Sequence, residues 1–117
     1  MSKKILIVDD NKSDLDSMKK ILEKAKYDVV ATASEKTALV HVNKQKFDLI
    51  LLDINMPKLS GYELLKLMKR DSKSDKPVIM FVSIVPYTKV DMSGADGFIQ
   101  KPFDEKSFLG GVKKALN

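Results

Sequence analysis

The run ILIVDD at Ile5–Asp10 sets four aliphatic residues directly against two adjacent carboxylates. Aliphatic side chains on both parities of a strand need cover on both faces, so the run reads as a central strand of a parallel sheet that leaves the core at its acids. A second such run, DLILLD, ends in Asp53, and a third, VIMFVS, ends in Ser83. Working outward from these three, the candidate strands are Lys4–Val8, Val29–Thr32, Leu49–Leu52, Val78–Val82 and Phe98–Ile99. Between them apolar residues recur at helical spacing: Leu15, Met18, Ile21, Leu22 and Ala25, then Ala38, Leu39 and Val42, then Leu64, Leu65 and Met68. Ser34, Ser60 and Asp104 stand where helix N-caps belong, the last before a helix that buries Phe108, Leu109, Val112 and Leu116. Gly110 and Gly111 inside that helix each cost about 0.8–1 kcal/mol relative to alanine, so packing must hold it together. Lys69–Pro77 reads as a polar loop. This alternation of strand and helix predicts an α/β fold around a parallel sheet.

The chain has 117 residues, the size of one domain, and is 44% hydrophobic and 32% charged, a balance that folds without staples. It has no cysteine, so disulfides, thiolate nucleophiles and thiolate metal sites are excluded, in keeping with a reducing cytoplasm. The apolar run near the N-terminus is too short for a signal peptide or a membrane span, and a cytoplasmic location is expected. The net charge of +5 raises nucleic acid as a partner. The lysines are spread along the chain, however, without a dense block or interleaved aromatics, and Arg70 is the single arginine. That pattern favours a solvated lysine surface over nucleic-acid binding.

In an open parallel α/β sheet, ligands bind beyond the carboxyl ends of the strands. Asp9, Asp10 and Asp53 all lie at such ends. A doubly wound strand order 2-1-3-4-5 would make the first and third strands neighbours and bring the three carboxylates into one crevice. Two unit charges about 4 Å apart repel by roughly 4 kcal/mol at an effective dielectric near 20, so such a cluster calls for a cation or for shifted protonation. Oxygen donors without histidine or thiolate favour magnesium or calcium over zinc, and a half-open site is typical of magnesium. Read alone, Asp9 and Asp10 would serve equally well as acids at a helix N-terminus. Ser83 alone would be a strand-end hydroxyl, and Lys101 alone a structural ion-pair partner. Five such groups on one rim favour a phosphoryl site.

These motifs together resemble the receiver domain of two-component response regulators, over essentially the whole chain. The resemblance rests on VDD at Val8–Asp10, LLDINMP at Leu51–Pro57, FVS at Phe81–Ser83 and GADGFIQKPF at Gly94–Phe103, with 30 residues from Asp53 to Ser83. It implies a single receiver domain over residues 1–117 and a flavodoxin-like (CheY-like) five-stranded parallel sheet of order 2-1-3-4-5. It also implies a stand-alone, Mg2+-dependent phosphoacceptor without turnover activity. On that resemblance Asp53 takes the phosphoryl group from a histidine kinase or phosphotransfer protein. Asp9, Asp10, Asp53 and the Asn55 backbone carbonyl hold the metal, Lys101 and Ser83 contact the phosphoryl oxygens, and Phe98 matches an aromatic switch position. A downstream protein target is implied, and a phosphorylation-dependent dimer is admitted.

The sequence departs from the family pattern between Ser83 and Lys101, which are 18 residues apart, about one helical turn short. With Pro86 and Gly94 in this gap, the fourth crossover helix is expected to be shortened, with Tyr87–Ser93 forming at most about two turns or a loop. Ile84 is bulkier than the small residue common after the serine and is expected to hinder access to the phosphoryl group. His41 is assigned to a helix surface, and Met56 with Pro57 to a loop that shapes the pocket. Two alternatives compete: an interaction module that works without phosphorylation, and a phosphotransferase that turns over small molecules through an aspartyl phosphate. The second lacks an evident general acid, because Asn55 stands two residues after Asp53.

Overall fold

A computed structural model describes residues 2–73 and 76–117. Five strands, β1 (Lys4–Val8), β2 (Asp28–Thr32), β3 (Leu49–Leu52), β4 (Val78–Ser83) and β5 (Gly97–Gln100), form one sheet in the order β2-β1-β3-β4-β5. Every pairing is parallel. The helices are α1 (Lys12–Lys24), α2 (Glu35–Lys44), α3 (Gly61–Asp71) and α4 (Glu105–Leu116).

The apolar runs of the central strands have the two-sided cover they require. Leu6, Val8, Ile50, Leu52, Ile79 and Phe81 face a core shared with α2 and α3. Their neighbours Ile5, Ile7, Leu49, Leu51, Met80 and Val82 face a second core shared with α1 and α4. Ser34, Ser60 and Asp104 each cap a helix through the side chain, as the sequence predicts, and Asn11 does the same for α1. At α3 the cap is reciprocal: Glu63 reaches back to the Ser60 backbone and closes a capping box.

One expectation needs revision, and two others hold. The polar stretch read as a loop from Lys69 is helical to Asp71, because Met68 still lies in the core and carries the helix past it; residues 74 and 75 of that stretch lie outside those described. The glycine pair does not interrupt α4, which is held by the stacked rings of Phe103 and Phe108, 4.6 Å apart, and by buried Val112. Between β4 and β5 the expected short helix is a single 3-10 turn, Tyr87–Lys89. That segment buries no residue, has no side-chain cap after Pro86 and turns extended at Val90, so it has no apolar stripe with which to extend.

Helix α1 ends in a double hydrogen-bonded turn. Tyr27 N–H donates to Leu22 and Lys26 N–H to Glu23, with Lys26 in the left-handed region at φ 72°.

Candidate functional site

The register of the sheet brings the acids together. Val8 lies opposite Leu52, and Asp53 N–H donates to the Val8 carbonyl at 3.0 Å, so the residues that follow these two strands leave the sheet side by side. Carboxylate oxygens of Asp9, Asp10 and Asp53 lie within 4.8 Å of one another, with Asp9 and Asp53 buried and Asp10 exposed. They border a cleft of about 540 Å³ whose walls include Asp10, Asp14, Asp53, Asn55, Ile84 and Lys101.

Each acid is held differently. Asp9 is fully buried; its Oδ1 accepts from the Asn11 N–H at 2.9 Å and its Oδ2 from the Lys101 ammonium at 2.5 Å. Asp53 Oδ1 accepts from its neighbour's Ile54 N–H at 2.9 Å. Burial first, then the negative charge of Asp9, pushes the Asp53 carboxyl up to about 6, against the opposing pull of Lys101. A carboxyl held this far above its ordinary range is a group whose charged form is under-compensated and would gain from a cation. Hard oxygen donors at this spacing, with an exposed side on the cleft, fit a hard divalent ion that keeps part of its water.

Lys101 closes the site from the β5 side. Its ammonium bonds Asp9 and also Asp14 of α1, at 2.8 Å, and its side chain is only 11% exposed. Burial alone would lower its pKa, but the hydrogen bonds it donates to Asp14 and Asp9 and the charges of Asp9 and Asp53 outweigh that and raise it. Ser83 is fully buried under the rim, its Oγ accepting from the Val85 N–H at 3.2 Å. Phe98 sits away from the cleft, its ring 5.4 Å from that of Tyr87. Ile84 is 69% exposed at the mouth. His41 is half-buried beside Gln45, and Met56 packs into the core rather than onto the cleft.

Four contributors escape the sequence reading. Asp14, in the first turn of α1, is the second partner of Lys101. Its position was foreseeable, since helical side chains lean toward the N-terminus and the rim lies there. Glu35 is a buried acid whose Oε2 accepts from the N–H groups of Lys58 at 2.8 Å and Leu59 at 3.1 Å, bracing the loop after Asn55. Burial works to raise its pKa, but these backbone bonds and Lys58 bring it below the ordinary value. Gly61 donates to the Ile54 carbonyl at 2.6 Å, and a Cβ there would meet the Asp53 carbonyl oxygen at 2.3 Å. Gln100 presents its amide nitrogen to the carbonyls of Ser83, Ile84 and Val85 at 3.0–3.2 Å, while its Oε1 accepts from the Tyr87 N–H at 3.3 Å.

Comparison with known proteins gives a consistent picture. The family model of the response regulator receiver domain matches residues 5–113. The heme response regulator HssR of Staphylococcus saprophyticus is 31% identical over 95% of this chain and 50% of its own length. The chain spans about half the length of several curated relatives it matches. A CheY-like receiver domain protein from Methanospirillum hungatei superposes with a TM-score of 0.89, at 32% identity over 99% of this chain and 94% of that one. The response regulator TrrA of Thermotoga maritima, solved in complex with Mg2+ and beryllofluoride, gives 0.86 at 27% identity over 97% and 99% of the two chains. Among the described residues no helix is long and apolar enough to cross a membrane.

Proposed function

This chain belongs to the response regulator receiver domain family, and from that premise we propose that Asp53 is its phosphoacceptor in a Mg2+-dependent transfer from a histidine kinase or phosphotransfer protein. The observation that carries the proposal is the convergence of Asp9, Asp10 and Asp53 beside Lys101 at the carboxyl end of the sheet. In the proposed step an Asp53 carboxylate oxygen attacks phosphorus, the P–N bond of the donor phosphohistidine breaks, and its electron pair leaves with the imidazole. The product is an acyl phosphate.

Asp9, Asp10, Asp53 and the Asn55 backbone carbonyl would hold magnesium, which neutralises phosphoryl oxygens when bound. The relative TrrA binds Mg2+ with beryllofluoride, and the oxygen donor set here suits the same ion. Lys101 supplies a buried positive charge for a phosphoryl oxygen, and the Ser83 hydroxyl, released from Val85, donates to another. Movement of Ser83 loosens the segment that Gln100 ties to β5, and the paired rings of Tyr87 and Phe98 repack with it. Phe98 has no hydroxyl, so its part is rotation of an apolar ring. A kinase signal would thus reach a protein target, in the cytoplasm, as a population shift between two packings of residues 83–101. Residues 1–117 would act as one receiver unit.

Intact-mass analysis after acetyl phosphate and Mg2+ tests the proposal. Wild type is expected to gain one phosphoryl group and Asp53→Asn none; equal modification of both would refute Asp53 as the acceptor.

A further inference from the structure

The lysine that would greet the phosphoryl group is already claimed by two carboxylates, and one of them belongs to none of the roles assigned above. Asp14 is held in place from three directions. Its N–H is fixed by the Asn11 side chain at 3.0 Å, so the first turn of α1 is rigid. Leu15, Met18 and Leu22 lock the helix onto the core, which sets the face that Asp14 presents. Its Oδ2 then lies 2.8 Å from the Lys101 ammonium, which Asp9 contacts from the other side. No hydrogen bond joins Lys101 to Asp53 among the described residues, although both border the same cleft.

Asp9 belongs to the acid cluster, and a cation bound there would draw on its charge. Asp14 lies outside that cluster and keeps its full charge for Lys101. We propose that Asp14 is a positioning residue that competes with the phosphoryl group for Lys101, holding the ammonium toward α1 until an anion on Asp53 draws it off. Such a competitor weakens the modified state relative to the free one, because a shared ammonium gives a third anion less than an undivided one would. This inference rests on the phosphoacceptor reading of Asp53.

The test is titration with beryllofluoride at saturating Mg2+, comparing wild type, Asp14→Asn, Lys101→Ala and the double variant. Asn conserves the volume of Asp14 and leaves its backbone hydrogen bond intact. Asp14→Asn is expected to bind the probe about five-fold more tightly, the upper range for a partly exposed charge pair. In the Lys101→Ala background the same substitution should give less than about half that gain on a logarithmic scale. Asp16→Asn, an equal charge change on the same helix whose partner is Lys12 at 3.2 Å, should leave the affinity unchanged. Equal affinities for wild type and Asp14→Asn, or an equal gain with and without Lys101, would overturn the inference while leaving the phosphoacceptor in place. No probe binding by wild type would overturn both.

Discussion

Two connections leave the carboxyl end of the sheet next to each other, and they are built to opposite standards. The one from β3 to α3 is fixed at every step: Gly61 is pressed against the Asp53 backbone, Glu35 braces Lys58 and Leu59, and a capping box starts the helix. The one from β4 to β5 has a single 3-10 turn and exposes Ile84 and Tyr87; the Gln100 side chain ties its first half, and only near its end does Asp96 hold it to Ile79 of β4. The difference matches two requirements of the proposed phosphorylation switch. A carboxylate that accepts a phosphoryl group needs a fixed position, whereas a reporting surface must have a second arrangement within reach.

Substitutions that loosen the first connection or tighten the second put this contrast to the test. The largest effect is expected for Gly61→Ala. Its Cβ would sit 2.3 Å from the Asp53 carbonyl oxygen and 2.7 Å from Ile54 Cα, both backbone atoms that have no free space to yield. A loss of about 3 kcal/mol in urea unfolding, with loss of phosphorylation, is expected from overpacking against main chain.

Next comes Asp53→Asn. Burial pushes the folded carboxyl up to about 6, above its unfolded value, so the folded state binds the extra proton and the contribution of Asp53 to stability falls as pH rises from about 4 to about 6. At neutral pH in chelator, the amide should therefore be more stable by roughly 2–3 kcal/mol, and the pH dependence over that window should flatten. A wild-type stability that rises relative to that of the amide across the same window would contradict the assignment. Glu35→Ala is expected to cost about 1–2 kcal/mol, since two backbone N–H groups lose a charged acceptor and only water can replace it. Hydrogen exchange should speed up at Lys58 and Leu59.

The loose connection should respond differently. Gln100→Ala is expected to cost about 1 kcal/mol or less in global unfolding, because the segment it ties is already exposed. Its signature is local: faster amide exchange at Tyr87 with no change at Gly61. If both amides responded alike, the two connections would be one cooperative unit and the contrast would fail.

How much of this was legible in the sequence depends on where each signal resides. Strands buried on both faces must be apolar at consecutive positions, so β1, β3 and β4 announced themselves, and their terminal residues Asp9, Asp53 and Ser83 came with them. Caps are equally local, and Ser34, Ser60 and Asp104 were readable three residues from their partners. Glu35, Gln100 and Gly61 were not, because what they do is decided by loops brought to them by the sheet. Glu35 meets backbone 23 and 24 residues away, and Gln100 meets backbone 15 to 17 residues away. In sequence Glu35 is one more acid in a first helical turn, and Gln100 one more polar residue at a strand end. The α3 boundary was missed for a related reason: Lys69–Asp71 is polar by composition and helical by continuation from Met68.

The turn that closes α1 carries a margin of stability that the chain does not use. Lys26 is an exposed side chain held at a backbone angle that suits glycine, far along the chain from the acids and from the segment after β4. Lys26→Gly is expected to raise the melting temperature by a few degrees, about 0.5–1 kcal/mol, with phosphorylation unchanged. An engineer who wanted a hardier receiver domain could therefore strengthen the scaffold from its rear without touching the acid cluster or the loose segment after β4.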